Sequence, residues 1–333
     1  MINKTAKPVQ VLGIGNALVD VITVLDDDSL LAVFGLQRGS MTLVSEELSR
    51  RIYTATETNP RQTTTGGSAA NTIHSLAALG ISCGFLGKVG NDELGKVFRE
   101  ELEQKSIKSH LLISEKDTGK VVSLVSADSE RTMATCLGAA ADLKPEELTD
   151  AMFEGYSLLY IEGYLVQDHR LIETAIDIAR NNKLKIAIDL SSFNVVEQNQ
   201  IFLRNLVAEK VDLVFANEEE AFAFTGKKQE VALEEIASMC ELAVVKAGKG
   251  GSFIQRGTEK VQVGIIDAHA VDTTGAGDNY AAGFLYGYTK GYSLKRCGQI
   301  AALVSGKAVE VMGAKIKDEQ WPQIRQKIEN IEC

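Results

Sequence analysis

From about Leu158 onward, short apolar runs alternate with segments whose apolar residues recur every three or four positions. SLLYIEG reads as a buried strand. RLIETAIDIARNN follows as a helix, with Leu171, Ile172, Ala175, Ile176 and Ala179 on one face. A strand in KIAIDL, a helix near Gln200–Ala208 and a strand in VDLVFA continue the alternation. A helix around Ala232–Cys240 and a strand in ELAVVKAG repeat it. Buried strands spaced by amphipathic helices imply a parallel sheet covered on both faces. Three more helices are predicted over 276–290, 294–311 and 318–330.

The first third is mixed. VQVLGIGNALVDVITVL reads as one strand that runs on past a glycine pair, and CGFLGKVG as another. SAANTIHSLAALG between them reads as a helix, with Ile73, Leu76 and Ala77 on its face and Gly80 as its stop signal. Two β-branched segments, about 20–45 and 110–137, fit the helix–strand alternation poorly. They are expected to form a small second sheet, a lid made of discontinuous pieces within one domain spanning 1–333.

Composition narrows the class. A length of 333 residues with 45% hydrophobic content suits one large α/β domain with an appendage. A net charge of −10 with no long basic run argues against nucleic acid or an anionic membrane as partner. Cysteines at 83, 136, 240, 297 and 333 are odd in number and form no CxxC pair, so reduced thiols in a cytoplasm are expected. The four scattered histidines suggest no metal site. MINKTAKPVQVLGIG lacks the marks of a signal peptide, and no uncharged apolar run is long enough for a membrane span.

The candidate chemistry gathers in DTTGAGDNYAAGFL, Asp272 to Leu285. A strand-like stretch precedes it, and Ala281, Phe284, Leu285 and Tyr288 follow at helical spacing. The glycines therefore lie at a turn that starts a helix, where free N–H groups and the helix dipole attract an anion. Gly275 and Gly277 let the backbone curl into a nest. Such a nest stabilises the spread charge of a phosphoryl group in transit, and Asp278 stands ready to take a proton from an attacking hydroxyl. A lone GAGD reads equally well as a tight bend with a favourable helix-start acid. The full strand–turn–helix setting favours function.

This stretch resembles the C-terminal signature of the ribokinase-like, pfkB-type carbohydrate kinases. TGGSAANTIHSLAALGISCGFLGKVGNDELG, Thr65 to Gly95, resembles that family's N-terminal signature. The resemblance spans nearly the whole chain. It implies an α/β fold, a Rossmann-like (ribokinase-like) three-layer αβα sandwich with a small β-sheet lid. It also implies transfer of the γ-phosphate of ATP to a hydroxyl of a sugar or nucleoside. Asp278 matches the catalytic base, and the backbone of Gly275, Ala276 and Gly277 matches the anion hole. Asp20, in GNALVD, matches an aspartate that grips substrate hydroxyls. Gly66, Gly67 and Asn71 match further substrate contacts. Asn217 and Glu220, in NEEEAFAFTG, reproduce an N-x-x-E pattern beside the nucleotide, with Glu220 reaching Mg²⁺ through water. Gly248 and Gly251 match a glycine loop that contacts the nucleotide, with Lys246 where threonine is usual. Asp272 and Thr274 sit where many members bind a monovalent cation, often K⁺.

ERTMATCLGAA is most similar to the adenosine-kinase-like branch, which tilts the acceptor toward a nucleoside. Other residues keep two readings. Arg131 faces a phosphate or solvates a turn. Glu162 contacts ligand or ends a strand in solvent. A plain hairpin explains Gly248 and Gly251 almost as well as a nucleotide loop. GIGNAL has Leu18 where a dinucleotide fingerprint needs glycine, so an NAD-dependent dehydrogenase is disfavoured, and no P-loop motif occurs. The competing function is a catalytically silent nucleotide- or sugar-binding regulator on the same fold. A homodimer through the lid is compatible with the sequence, and which sugar or nucleoside is taken is left open.

Overall fold

The computed structural model describes residues 10–127 and 130–331. Residues 1–9, read above for a signal peptide, 128 and 129 of the predicted lid, and Cys333 lie outside the described residues. The strands are β1 (Gln10–Ile14), β2 (Leu18–Val24), β3 (Met41–Leu43), β4 (Arg61–Gly66), β5 (Ser82–Gly90), β6 (Lys108–Ser114) and β7 (Gly119–Val125). They continue with β8 (Arg131–Cys136), β9 (Leu158–Glu162), β10 (Lys185–Asp189), β11 (Leu213–Asn217), β12 (Leu242–Lys246), β13 (Ser252–Arg256) and β14 (Glu259–Val263). The helices are α1 (Ser29–Phe34), α2 (Glu46–Ala55), α3 (Ser68–Ala78), α4 (Glu93–Gln104), α5 (Asp150–Phe153) and α6 (His169–Asn181). After them come α7 (Phe193–Lys210), α8 (Glu218–Thr225), α9 (Gln229–Ala237), α10 (Ala276–Thr289), α11 (Leu294–Ala308) and α12 (Trp321–Glu329).

Among the described residues, nine strands form the main sheet in the order β14-β13-β12-β11-β10-β9-β1-β5-β6. The run from β12 to β6 is parallel, and β13 and β14 close one edge as antiparallel hairpins. Successive residues of a strand point to opposite faces, and here both faces are apolar. Leu12, Leu159, Ile161, Ile186, Ile188, Val214 and Val245 pack against residues of α6, α7, α8 and α9. Val11, Leu158, Tyr160, Ala187, Phe215 and Val244 pack against α3, α4, α10 and α11. The result is an αβα sandwich. At β1 the strand order turns back, with β5 on one side and β9 on the other. Such a reversal opens a crevice at the carboxyl ends of the strands.

The second sheet has the order β3-β8-β7-β2-β4. One face buries Val122, Leu124 and Ala134 against Leu31 of α1 and Ile52 of α2. The alternate residues, Asp20, Ile22, Val121, Ser123, Arg131 and Met133, line the cleft. The apparent single strand in VQVLGIGNALVDVITVL is, over its described residues, in fact two. The chain leaves the main sheet after Ile14 and enters the small one at Leu18. Residues 110–114, expected in the small sheet, belong to β6 and pair in parallel with β5 at the edge of the main sheet. β4 joins the small sheet instead, antiparallel to β2. α7 begins earlier than its apolar pattern suggests and kinks at Asn199. The strand-like stretch ahead of Asp272 ends at Val263, and residues 264–275 form no helix or strand. Among the described residues, no helix is long and apolar enough to cross a membrane.

Candidate active site

A cleft of about 1450 Å³ runs between the small sheet and the carboxyl ends of the main strands. Its floor is the junction of two helix starts, α3 and α10. Gly275 precedes α10 with φ +71°, a left-handed backbone that favours glycine. A Cβ there would also lie 2.5 Å from that of Ala314. The turn closes with the Ala276 N–H donating to the Thr273 carbonyl at 3.1 Å. Ala276, matched above to an anion hole, therefore has its N–H engaged. No described residue accepts from the N–H of Gly275, Gly277 or Asp278, and all three residues line the cleft.

Asp278 sits in the first turn of α10 but faces α3. Ser68 Oγ donates to its Oδ1 at 2.7 Å and Asn71 Nδ2 to its Oδ2 at 3.0 Å. Thr72 Oγ1 donates to the Asp278 carbonyl at 3.2 Å, which ties the two helix starts together. Burial pushes the Asp278 carboxyl up to about 6; the bonds from Asn71 and Ser68 hold it down, Asp189 raises it and Lys246 lowers it. A base held by two donors and titrating just below neutrality suits proton abstraction.

The residues matched to the acceptor lie across the same floor. Asp20 extends from β2 against Gly66, where a Cβ would stand 2.6 Å from its Oδ2. Burial pushes Asp20 up to about 6, partly offset by Lys315 and Arg131. Gly67, with φ +98°, leads from β4 into α3, and a Cβ on it would collide with the Asn16 carbonyl. Asn71 is buried, and its Oδ1 has no hydrogen-bond partner. A buried acceptor without a donor is costly to the protein alone. A ligand hydroxyl would satisfy it.

Further along the cleft, Asn217 caps α8 in a reciprocal box. Its Oδ1 accepts from the Glu220 N–H at 2.8 Å, and Glu220 accepts from the Asn217 N–H at 2.7 Å and Nδ2 at 2.8 Å. Glu220 is buried rather than solvated, and burial with nearby Asp189 raises its carboxyl above the ordinary range. Gly248 and Gly251 lie in the turn between β12 and β13 and also line the cleft, so hairpin geometry and a cleft-lining position coincide there. Lys246 Nζ pairs with Asp189 Oδ2 at 2.9 Å.

Glu162 ends β9 buried rather than in solvent, and it lines the cleft. Its carboxylate is buried and accepts from the Asn16 N–H at 2.8 Å, Asn16 Nδ2 at 2.6 Å and the Ala69 N–H at 3.0 Å. It buckles the end of β1 to the start of α3. Asp272 accepts from the N–H and Oγ1 of Thr274 at 3.0 and 2.7 Å and from the Gly313 N–H at 2.7 Å. Arg131 pairs with its Oδ2 at 3.1 Å. These bonds and Arg131 outweigh burial and hold Asp272 below the usual carboxylate range. With the chain's own donors around both oxygens and a guanidinium alongside, Asp272 and Thr274 do not present a ligand set for a monovalent cation in this arrangement.

Ser68, Asp189 and the inward turn of Lys246 were not singled out from the sequence. Ser68 lies inside the quoted TGGSAAN stretch, and Asp189 ends the buried KIAIDL strand, where an acid has no structural reason to sit. Both were therefore visible as oddities, without a partner to make sense of them.

The pattern of the pfkB family carbohydrate kinase matches residues 29–321. The chain belongs to this family. Its fold is similar to that of a probable sugar kinase from Rhizobium etli, with TM-score 0.87, 31% identity, and 97% of this chain and 99% of that one covered. It is equally similar to an adenosine kinase from Sinorhizobium meliloti, with TM-score 0.86, 35% identity, and 97% and 100% covered. A 5-dehydro-2-deoxygluconokinase from Geobacillus thermodenitrificans is 27% identical over 80% of this chain and 85% of its own. This family member is an ATP-dependent kinase that phosphorylates a hydroxyl of a small sugar or nucleoside. Nothing in these relatives favours a silent regulator.

Proposed function

We propose that the acceptor is the primary ribose hydroxyl of a nucleoside and that Asp278 is the base. The acceptor oxygen bonds to the γ-phosphorus of ATP while the bond to the β,γ-bridging oxygen breaks. ADP leaves with that electron pair, and the hydroxyl proton passes to Asp278. The observation that carries this reading is the Asp278 carboxylate, aimed by Ser68 and Asn71 and set beside the open N–H groups of Gly275 and Gly277. Asp20 and the unpartnered Asn71 Oδ1 offer acceptors for ribose hydroxyls, and Gly66 keeps clear the space that the Asp20 carboxylate occupies. Ile22, Val121, Met133 and Leu165 line the same cleft and offer apolar surface to a base. The 35% identity to an adenosine kinase favours the same choice.

Asn217, Glu220, Gly248 and Gly251 flank the place of the nucleotide. The carboxylate of Glu220 is occupied by its cap but keeps lone pairs, which fits a Mg²⁺ ion met through water. Such an ion would neutralise the triphosphate charge. The small sheet acts as the lid, closing over the acceptor to exclude water. β3 is an edge strand of the small sheet and is open to pairing with a second copy; a light-scattering mass of one chain would rule that dimer out. The four free cysteines among the described residues accord with a reducing cytoplasm.

The test is a coupled ADP-release assay over nucleosides, pentoses and hexoses. Turnover with a nucleoside at least tenfold above that with any free sugar is expected. Preference for a hexose or its acid would overturn the acceptor assignment.

A further inference from the structure

Lys246 ends β12 at the carboxyl edge of the main sheet, and its side chain turns inward along the cleft floor. Its Nζ is 2.9 Å from Asp189 Oδ2, with the side chains only 14% and 5% exposed. An ammonium has three N–H donors. Asp189 takes one, and no other described residue accepts a hydrogen bond from Nζ. The Nζ also lies 3.2 Å from where a Cβ of Gly277 would be. Glycine there keeps the space between the ammonium and the α10 turn clear. The N–H groups of Gly277 and Asp278 have no described partner. Two spare donors of a buried cation and two spare backbone donors therefore converge beside the base.

We propose that Lys246, held by Asp189, contacts the γ-phosphoryl group as it crosses from ATP to the acceptor. The inference rests on the phosphotransfer reading above and adds a residue to it. The location decides which phosphate is touched: a group lying between the Gly277 N–H and the Asp278 carboxylate is the one being transferred. Lys246 gains and loses no proton in the step. It donates hydrogen bonds to oxygens whose charge redistributes as one P–O bond forms and the other breaks. Burial works against its charge, but Asp189 and Glu220 more than offset that and keep it protonated. A cation fixed in a dry site before the reaction stabilises a phosphoryl transition state without reorganising.

Lys246 also bears on the base. Charged and titratable groups face Asp278 from β2 (Asp20), β9 (Tyr160 and Glu162), the turn after β9 (Tyr164), β10 (Asp189), α8 (Glu220) and β12 (Lys246). Most are carboxylates, which oppose its ionisation. Lys246 favours it. Removing the ammonium should move the acid limb of the rate profile to higher pH.

The experiment compares Lys246→Met and Lys246→Arg with the unaltered protein. Calorimetry measures binding of ADP and of the non-hydrolysable β,γ-methylene analogue of ATP. For Lys246→Met, affinity for the analogue should fall at least tenfold while affinity for ADP stays within about threefold. Its kcat should fall by about 10²–10³-fold, the usual cost of one lost transition-state donor, with KM for the acceptor little changed. Lys246→Arg should recover much of the analogue affinity. Equal losses for ADP and analogue, or no loss for either, would overturn the assignment. If Lys246→Met does not fold, Lys246→Thr gives the same comparison. An unaltered protein that transfers no phosphate sinks the phosphotransfer reading; an active one with unchanged analogue binding in Lys246→Met sinks this inference alone.

Discussion

Asp278 concentrates the proposed chemistry into one side chain. Its carboxyl titrates near 6 because it is buried, and it stays usable as a base because Asn71 and Ser68 donate to it. Asp278→Asn keeps the shape and removes the base. Turnover should drop by about 10²–10⁴-fold, the usual worth of a general base, with the circular dichroism spectrum unchanged. Retained turnover would remove Asp278 from the role. In the unaltered protein, kcat/KM should fall as pH drops below about 6, where the carboxyl takes up a proton. Asp278, Asn71 and the glycines were legible because their spacing within a short motif carries the meaning. Ser68 and Asp189 were not. The first meets Asp278 across 210 residues of sequence and the second meets Lys246 across 57, and no local pattern announces such pairings. Lys246 was legible only as a departure from the expected threonine, not as a charge facing the floor.

Elements are where sequence periodicity did best and also failed in an instructive way. The alternation after Leu158 gave the parallel strands and their helices, because each strand is apolar on both faces. The path of the chain between sheets was hidden. β1 and β2 read as one strand, since a strand that changes sheets keeps its hydrophobic pattern. β4 was missed because RQTTTG is polar and sits at an edge. Glu162 joins three of these elements by accepting three hydrogen bonds from Asn16 and Ala69. Glu162→Gln would turn one acceptor oxygen into a donor facing donors. It should cost about 1–3 kcal/mol, read as a lower midpoint in urea; an unshifted midpoint would mean the buckle is dispensable. A second prediction joins β8 to the loop before α10. Arg131 already places positive charge on Asp272. Replacing K⁺ by choline should therefore change turnover by less than twofold. A loss of most activity would show that the guanidinium gives way to a metal ion.

The whole molecule carries the cost of this cleft. Asp20 and Asp278 are pushed up to about 6 and Glu162 to about 7, each mainly by burial, and Glu220 is raised as well. In every case the folded protein holds its proton at a pH where the unfolded chain has released it. The stability these groups contribute is complete below the ordinary carboxylate range and is lost as pH rises through about 6 to 7. A shift of two units in Asp278 alone corresponds to roughly 3 kcal/mol, at about 1.4 kcal/mol per unit. The net charge of −10 adds self-repulsion in the same direction. Carboxyls held low, such as Asp272 and Asp92, act oppositely, but only at more acidic pH. The ligand-free protein should therefore melt at its highest temperature near pH 4–5, lose stability as pH rises to about 7 and change little from these groups above that. Asp278→Asn removes one of the groups that must ionise. Its melting temperature should come nearest that of the unaltered protein below about pH 4 and exceed it increasingly up to about pH 7, while its turnover is crippled. Parallel melting curves across that range would mean that Asp278 ionises in the folded protein at no cost. The cleft would then be wetter, and the base more ordinary, than its buried geometry requires.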